Sequence, residues 1–222
     1  MSIANRLREV TDSLPQGVRL VAVSKFHPAE YVKEAYDAGQ RVFGESREQE
    51  LSRKVEELPK DIEWHFIGHL QTNKVKYIAP YISMIDAVDS LKLLREINKQ
   101  AAVHGRTIKV LLELHIAEEE TKYGLSLDAC RELLEGGEWR ALQNVQICGL
   151  MMMASHVDDE SIIRKEFMLA ADFFDEVKAR YFADDDSFCE RSWGMSHDYH
   201  IAAECRSTMV RVGTYIFGER NY

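Results

Sequence analysis

Lys25 closes a short apolar run, Arg19 to Lys25 (RLVAVSK). Lysines are seldom buried without a partner. At the end of a buried strand, partial desolvation would lower an ammonium pKa and free the amine to attack a carbonyl. That is the requirement for a Schiff base. The bland alternative is a strand-end lysine whose stem carries its charge out to water, and position alone favours it.

A second group of residues lies near the other end of the chain. Gly194-Met195-Ser196 precedes His197-Asp198. A short helix is predicted to open there with Ser196 as its N-cap, its hydroxyl and the following amides directed at an anion. Further on, Arg211-Val212-Gly213-Thr214 supplies a glycine for close backbone approach and a hydroxyl donor. Ordinary capping and a tight bend are the competing readings of Ser196 and Gly213. Arg211 stands two residues before Gly213, so both point to one side of a strand. An arginine turned into a closed interior needs an acceptor. A pyridine nitrogen would serve, and would stay unprotonated beside it; a salt bridge to an acidic residue such as Glu45 is the alternative. His65 and His69 lie four apart, but at a strand-to-loop turn with no third ligand in suitable spacing, so no metal site is expected.

The elements that must position these residues follow from periodicity. Eight short apolar runs alternate with amphipathic segments: 19–25, 41–46, 63–68, 84–88, 109–116, 145–152, 190–195 and 209–217. Helices are predicted from Pro28 to Gly39, to about Leu58, after Gln71, and over 90–104, 126–134 and 159–181, with a short one after 195. One more helix precedes the first strand. Near-continuous apolar strands joined by helices imply a parallel sheet covered on both faces. Eight units in 222 residues fit one α/β domain over 1–222, a (β/α)8 TIM-type barrel with an extra N-terminal helix. An open doubly wound sheet would normally carry GxGxxG after its first strand, and Ser24-Lys25-Phe26-His27-Pro28 holds no glycine. In such a barrel Lys25 falls at the C-terminal mouth, Ser196 closes strand seven and Gly213 lies within strand eight, in the region where barrels often bind phosphate. The two features together favour a phosphate cradle beside Lys25. Met151-Met152-Met153 is expected to fill the core and mouth, and the loop Glu118 to Gly124 to reach over the mouth.

Composition narrows the function classes. The chain is 45% hydrophobic and 29% charged, with a formal net charge of −9. The acidic balance argues against a nucleic-acid surface. Four cysteines without a CxxC pair read as reduced thiols. The N-terminus lacks the apolar core of a signal peptide, and no apolar run approaches the ~20 residues of a membrane span. A soluble cytoplasmic protein is expected.

The motifs resemble a known family. VAVSK (21–25), FGES (43–46), WHFIGHLQTNK (64–74), KYGL (122–125), GLMMM (149–153), SWGMS (192–196) and STMVRVGTYIFGER (207–220) are similar, in order, to the pyridoxal phosphate homeostasis proteins. The resemblance runs from about residue 4 to 220. It implies a barrel like the N-terminal domain of alanine racemases, with pyridoxal 5'-phosphate (PLP) linked to a lysine that matches Lys25. It also implies phosphate contacts at Ser196, Gly213 and Thr214 with backbone help near Met195, and Arg211 facing the ring nitrogen. FGES stands where FGEN is usual, so Ser46 replaces an amide near the ring. SWGMSHD stands where SMGMSDD is usual, so Trp193 and His197 are expected to alter the rim of the phosphate site.

Two functions follow. In alanine racemases a second acid/base, a tyrosine, comes from a separate C-terminal domain across a dimer. The chain ends at Tyr222, so that domain is expected to be absent and a monomer is expected. An arginine on the ring nitrogen also makes a weak electron sink. The first expectation is therefore a non-catalytic carrier that holds PLP on Lys25 and passes it to apo-enzymes. The alternative is a small amino-acid racemase with a base drawn from His65, His69, Tyr123 or Tyr215. A barrel binding another phosphorylated metabolite without a Schiff base is a third reading. Lys122 is the first alternative attachment lysine. Replacing Arg211 is expected to change the cofactor's spectrum or affinity without unfolding the barrel.

Overall fold

The short Val-, Ile- and Leu-rich runs form parallel strands: β1 (Arg19–Val23), β2 (Val42–Glu45), β3 (Glu63–Phe66), β4 (Met84–Val88), β5 (Ile108–Leu114), β6 (Val145–Met152), β7 (Glu190–Ser192) and β8 (Met209–Val212). Each pairs with the next in chain order, and β8 pairs with β1, Arg19 level with Met209 and Ala22 with Val212. The sheet is thus a closed barrel, as the sequence predicts. The computed structural model describes residues 1–116 and 123–219. Among these, helices α1 (Ile3–Ser13), α2 (Ala29–Asp37), α3 (Glu48–Glu57), α4 (Val75–Ile78), α5 (Leu91–Val103), α6 (Leu127–Glu135), α7 (Glu160–Tyr181), α8 (Tyr199–Glu204) and α9 (Thr214–Phe217) surround it. Ser2, Ser90 and Ser126 cap α1, α5 and α6 by accepting from the amides of Asn5, Leu93 and Ala129. Each takes up an amide that has no partner in the helix's first turn. No helix among the described residues is long and apolar enough to cross a membrane.

Strand alternation sorts side chains into two cores. One face of each strand packs under the helices, with Leu20, Phe43, Trp64, Phe66, Val110 and Val212 in one large buried cluster. The other face fills the barrel with Val21, Met84, Ala87, Leu111, Cys148, Met151 and Met209. Met151 enters the barrel and Met152 the outer layer, while Met153 is half-buried.

Several strands end earlier than the sequence reading has them. β1 stops at Val23, because Phe26 turns the chain at φ 68. β7 stops at Ser192. The run 209–217 breaks at Val212, and its second half is α9. TYIF has strand propensity, but Arg6 draws the Ile216 carbonyl onto α1 with a 2.6 Å hydrogen bond from its Nε. Tertiary contact overrides local preference there. After Gln71 the expected helix is a 3-10 turn, Thr72–Lys74, leading into α4.

Candidate functional site

At the C-terminal end of β1 the alternation sets Val21 inward and Leu20 and Ala22 outward. Continued two residues further, it sends Ser24 to the helix side and Lys25 to the barrel mouth. Ser24 fits that placement, since its Oγ donates to Glu45 Oε1 at 2.6 Å in the outer layer. Lys25 is half-buried. The next residue, Phe26, lies in the left-handed region, unusual for a bulky side chain. Its amide donates to Glu50 Oε1 at 2.8 Å, and the His27 amide donates to Ser24 O at 3.1 Å. Beneath this turn lies Lys54 of α3, only 2% exposed. Its ammonium donates to Ser24 O at 2.8 Å, Glu45 Oε1 at 2.6 Å and Glu50 Oε1 at 2.7 Å. Burial holds the Glu45 carboxyl above the usual range even with Lys54 beside it. A buried, multiply bonded clamp therefore fixes the strained turn that carries Lys25.

The β8 end comes to the same mouth. The register pairs Ala22 with Val212, and the next residue, Gly213, lies against Val23. A Cβ at Gly213 would sit 2.9 Å from the Val23 carbonyl oxygen, so only glycine lets the turn after β8 run this close to β1. Ser196, in the loop after β7, joins it: its Oγ accepts from the Gly213 amide at 3.1 Å. Ser196 is not an N-cap, because α8 begins later, at Tyr199, with Asp198 at the cap position. The Met195 amide donates to Asp198 Oδ1. No acceptor among the described residues takes the amides of Ser196, His197, Thr214 or Tyr215. These open backbone donors belong to two adjacent loops, and they are the kind of group from which an anion accepts. Thr214 is exposed at the start of α9.

Arg211 points into the barrel and is 4% exposed. It donates to Ser192 O and Oγ, both at 2.7 Å, and to Met152 O at 2.9 Å. The proposed pairing with Glu45 does not occur. Glu45 lies on the opposite face of the sheet, bonded to Lys54 and Ser24. The carboxylates acting on Arg211 are Asp86, Glu113 and Asp198. Burial pushes Glu113 up to about 7, with Asp89 adding to the rise and Arg211 opposing it. Sequence reading missed Asp86, Glu113 and Lys54. The first two were visible as charges inside otherwise apolar strands, MIDAV and IKVLLEL; Lys54 was hidden in a helix that reads as solvated.

The remaining candidates scatter. His65 is buried, its Nδ1 3.0 Å from Asp86 Oδ1. His69 stacks on Tyr123 at 3.8 Å, with its Nδ1 3.4 Å from Asp89 Oδ2, beyond the end of β4. The Tyr215 hydroxyl donates to Glu9 Oε2 at 2.9 Å on α1. Trp193 is not at the rim: it is fully buried in the outer core, and its indole N–H donates to Cys205 O at 3.2 Å. His197 is exposed and meets His156 edge-on at 5.0 Å. A β-carbon at Gly68 would collide with Ser46, so the short side chain at 46 accompanies close packing of the β2 and β3 loops. Lys122 and most of the loop from Glu118 lie outside the described residues.

A closed parallel barrel with a lysine after β1 and open backbone amides after β7 and β8 defines a class. The chain belongs to the family of the alanine racemase N-terminal domain, whose family model matches residues 1–221. An Aquifex aeolicus protein named pyridoxal phosphate homeostasis protein is 36% identical over 224 residues, 99% of this chain and 96% of that one. Its human namesake is 37% identical over 231 residues, 100% of this chain and 82% of that one. Within the class, the chain is thus one of the pyridoxal phosphate homeostasis proteins. PipY of Synechococcus elongatus, solved with PLP bound, superposes with a TM-score of 0.88 at 36% identity, covering 98% of this chain and 100% of that one. An alanine racemase of Clostridium difficile shares the fold alone, with a TM-score of 0.77 at 14% identity, and this chain spans 57% of its length.

Proposed function

We propose that the C-terminal mouth binds PLP and that the protein is a non-catalytic carrier, controlling the free cofactor and passing it to apo-enzymes. The observation that carries this reading is the Ser196–Gly213 hydrogen bond at 3.1 Å, on a turn packed against Val23, two residues before Lys25. It sets open amides beside a strand end that carries a lysine. PLP presents three unlike groups, and the residues fit each of them. The amides of Ser196, His197, Thr214 and Tyr215, with the Ser196 and Thr214 hydroxyls, suit the phosphate. Arg211 makes three hydrogen bonds to the barrel wall and still has N–H groups for a ring nitrogen. Lys25 suits the aldehyde: its amine would hold that group by condensation with loss of water. The bound group supplies an electron sink only as good as its ring nitrogen allows. A protonated arginine there keeps that nitrogen neutral, which disfavours carbanion chemistry and favours storage. The names of the homologues and the PLP in PipY support the same reading.

One observation favours the racemase alternative. His69, stacked on Tyr123 with its Nδ1 3.4 Å from Asp89 Oδ2, lies at the same end of the barrel as Lys25. Incubating the PLP-loaded protein with a panel of D- and L-amino acids separates the two readings. The carrier shows no sustained racemisation and transfers PLP to an apo-enzyme. Turnover abolished by Lys25→Ala establishes the racemase instead.

A further inference from the structure

The barrel has a second opening. At its N-terminal end, opposite Lys25, lies a cavity of about 450 Å³ whose walls come from the starts of β1, β3, β4, β5, β6 and β7. Barrel active sites sit at the other end, so the proposed PLP site does not use it. Its charges are incompletely paired. Arg19 is matched by Glu190. Arg106 gives its guanidinium to the carbonyls of Ala79 and Ile82, at 2.6 and 2.8 Å, and meets no carboxylate. Lys109 makes no hydrogen bond or ion pair among the described residues. Glu63 is the one acidic side chain on the wall that Arg19 does not engage. A net positive mouth therefore opens on a chain of net charge −9. A cation-lined concavity of this size suits a small anion.

The cavity also touches the interior. His65 lines it, and its Nδ1 is 3.0 Å from Asp86 Oδ1. Both Asp86 oxygens are buried without a hydrogen-bond donor of good geometry. Asp86 is in turn the foremost carboxylate acting on Arg211. Cavity, His65 and Asp86 are contiguous, and the Asp86 charge acts on buried Arg211 in low dielectric, where fields are felt strongly.

We infer that the N-terminal mouth is a second binding site, for a small carboxylate- or phosphate-bearing metabolite held by Lys109 and Arg106, and that its occupancy is felt at Arg211 through His65 and Asp86. The coupling, though not the binding, rests on the function proposed above. Calorimetric titration of succinate and of inorganic phosphate into the full chain tests the binding and tells the two ligand chemistries apart. At least one probe should bind, about tenfold more weakly to Lys109→Ala and equally well to Ser196→Ala. No binding, or binding weakened by Ser196→Ala and not by Lys109→Ala, overturns the site. In the PLP-loaded protein the bound probe should shift the visible band, and the shift should vanish in His65→Gln and in Asp86→Asn while binding persists. An unshifted wild-type band, or a shift that survives both substitutions, overturns the coupling. Failure to load PLP at all refutes the proposed function and leaves the calorimetric result standing.

Discussion

The Ser196 hydroxyl accepts the Gly213 amide at 3.1 Å, which ties the loop after β7 to the turn after β8. That bond closes one side of the anion cradle and leaves the Ser196 hydrogen free to donate. Ser196→Ala should therefore weaken PLP binding by about 1–3 kcal/mol, some five- to hundredfold, by losing a charge-assisted donor. Equilibrium dialysis against PLP reads the change. An affinity equal to wild type removes Ser196 from the phosphate site.

Arg211 carries more of the fold than its sequence position suggests. It answers the buried carboxylates Asp86 and Glu113, and three wall oxygens accept from it. Arg211→Gln should cost about 3–5 kcal/mol in urea unfolding, because those carboxylates lose their cation. The variant is still expected to fold, as the sequence reading has it, but with reduced stability. The loss should be smaller at pH 5 than at pH 8, since protonation of Glu113, whose carboxyl is pushed up to about 7, relieves one of those carboxylates. Equal losses at both values contradict the assignment.

Glu113 gives a pH dependence of definite sign. Its carboxyl rises from 4.5 to about 7 in the folded chain. The folded state then holds a proton that the unfolded state releases, so the contribution is fully present below about 4.5 and is lost as pH rises through about 7. A rise of that size corresponds to roughly 3 kcal/mol at most. Glu113→Gln should remove this dependence and unfold at higher urea than wild type at pH 8, with the gap narrowing at pH 5. A variant weaker than wild type at pH 8 shows Glu113 charged and well paired.

Lys54 should matter to PLP without touching it. Lys54→Met leaves Glu45 and Glu50 buried without their cation and loosens the Phe26 turn. We expect a loss of about 3–5 kcal/mol, with weaker PLP binding. Adding Glu45→Gln should restore part of the stability. If the single variant matches wild type in both measurements, the clamp does not position Lys25.

The barrel was legible because its strands are buried on both faces and its helices on one, so the two periods differ plainly along the chain. Lys25, Ser196, Arg211 and Gly213 were legible as residue types at strand ends. What lay out of sight depends on contacts between distant segments. TYIF reads as strand until Arg6 and α1 claim it. EQELSRKVEE reads as a solvated helix, yet Glu50 and Lys54 are buried against Glu45. Trp193 reads as a rim residue beside Ser196, but strand alternation sends it to the outer core. Arg211 reads as a partner for Glu45, and the same alternation puts the two on opposite faces of the sheet.

The central claim is that Lys25 tethers PLP. Mixing the purified chain with PLP, reducing with borohydride and mapping the peptides by mass tests it most directly. We expect a visible absorbance band that reduction abolishes, with the mass of the reduced cofactor retained on the peptide containing Lys25. In Lys25→Ala the band and the adduct should both be lost, leaving weaker, phosphate-anchored binding. An unchanged band in Lys25→Ala, or an adduct on another lysine such as Lys122, contradicts the account.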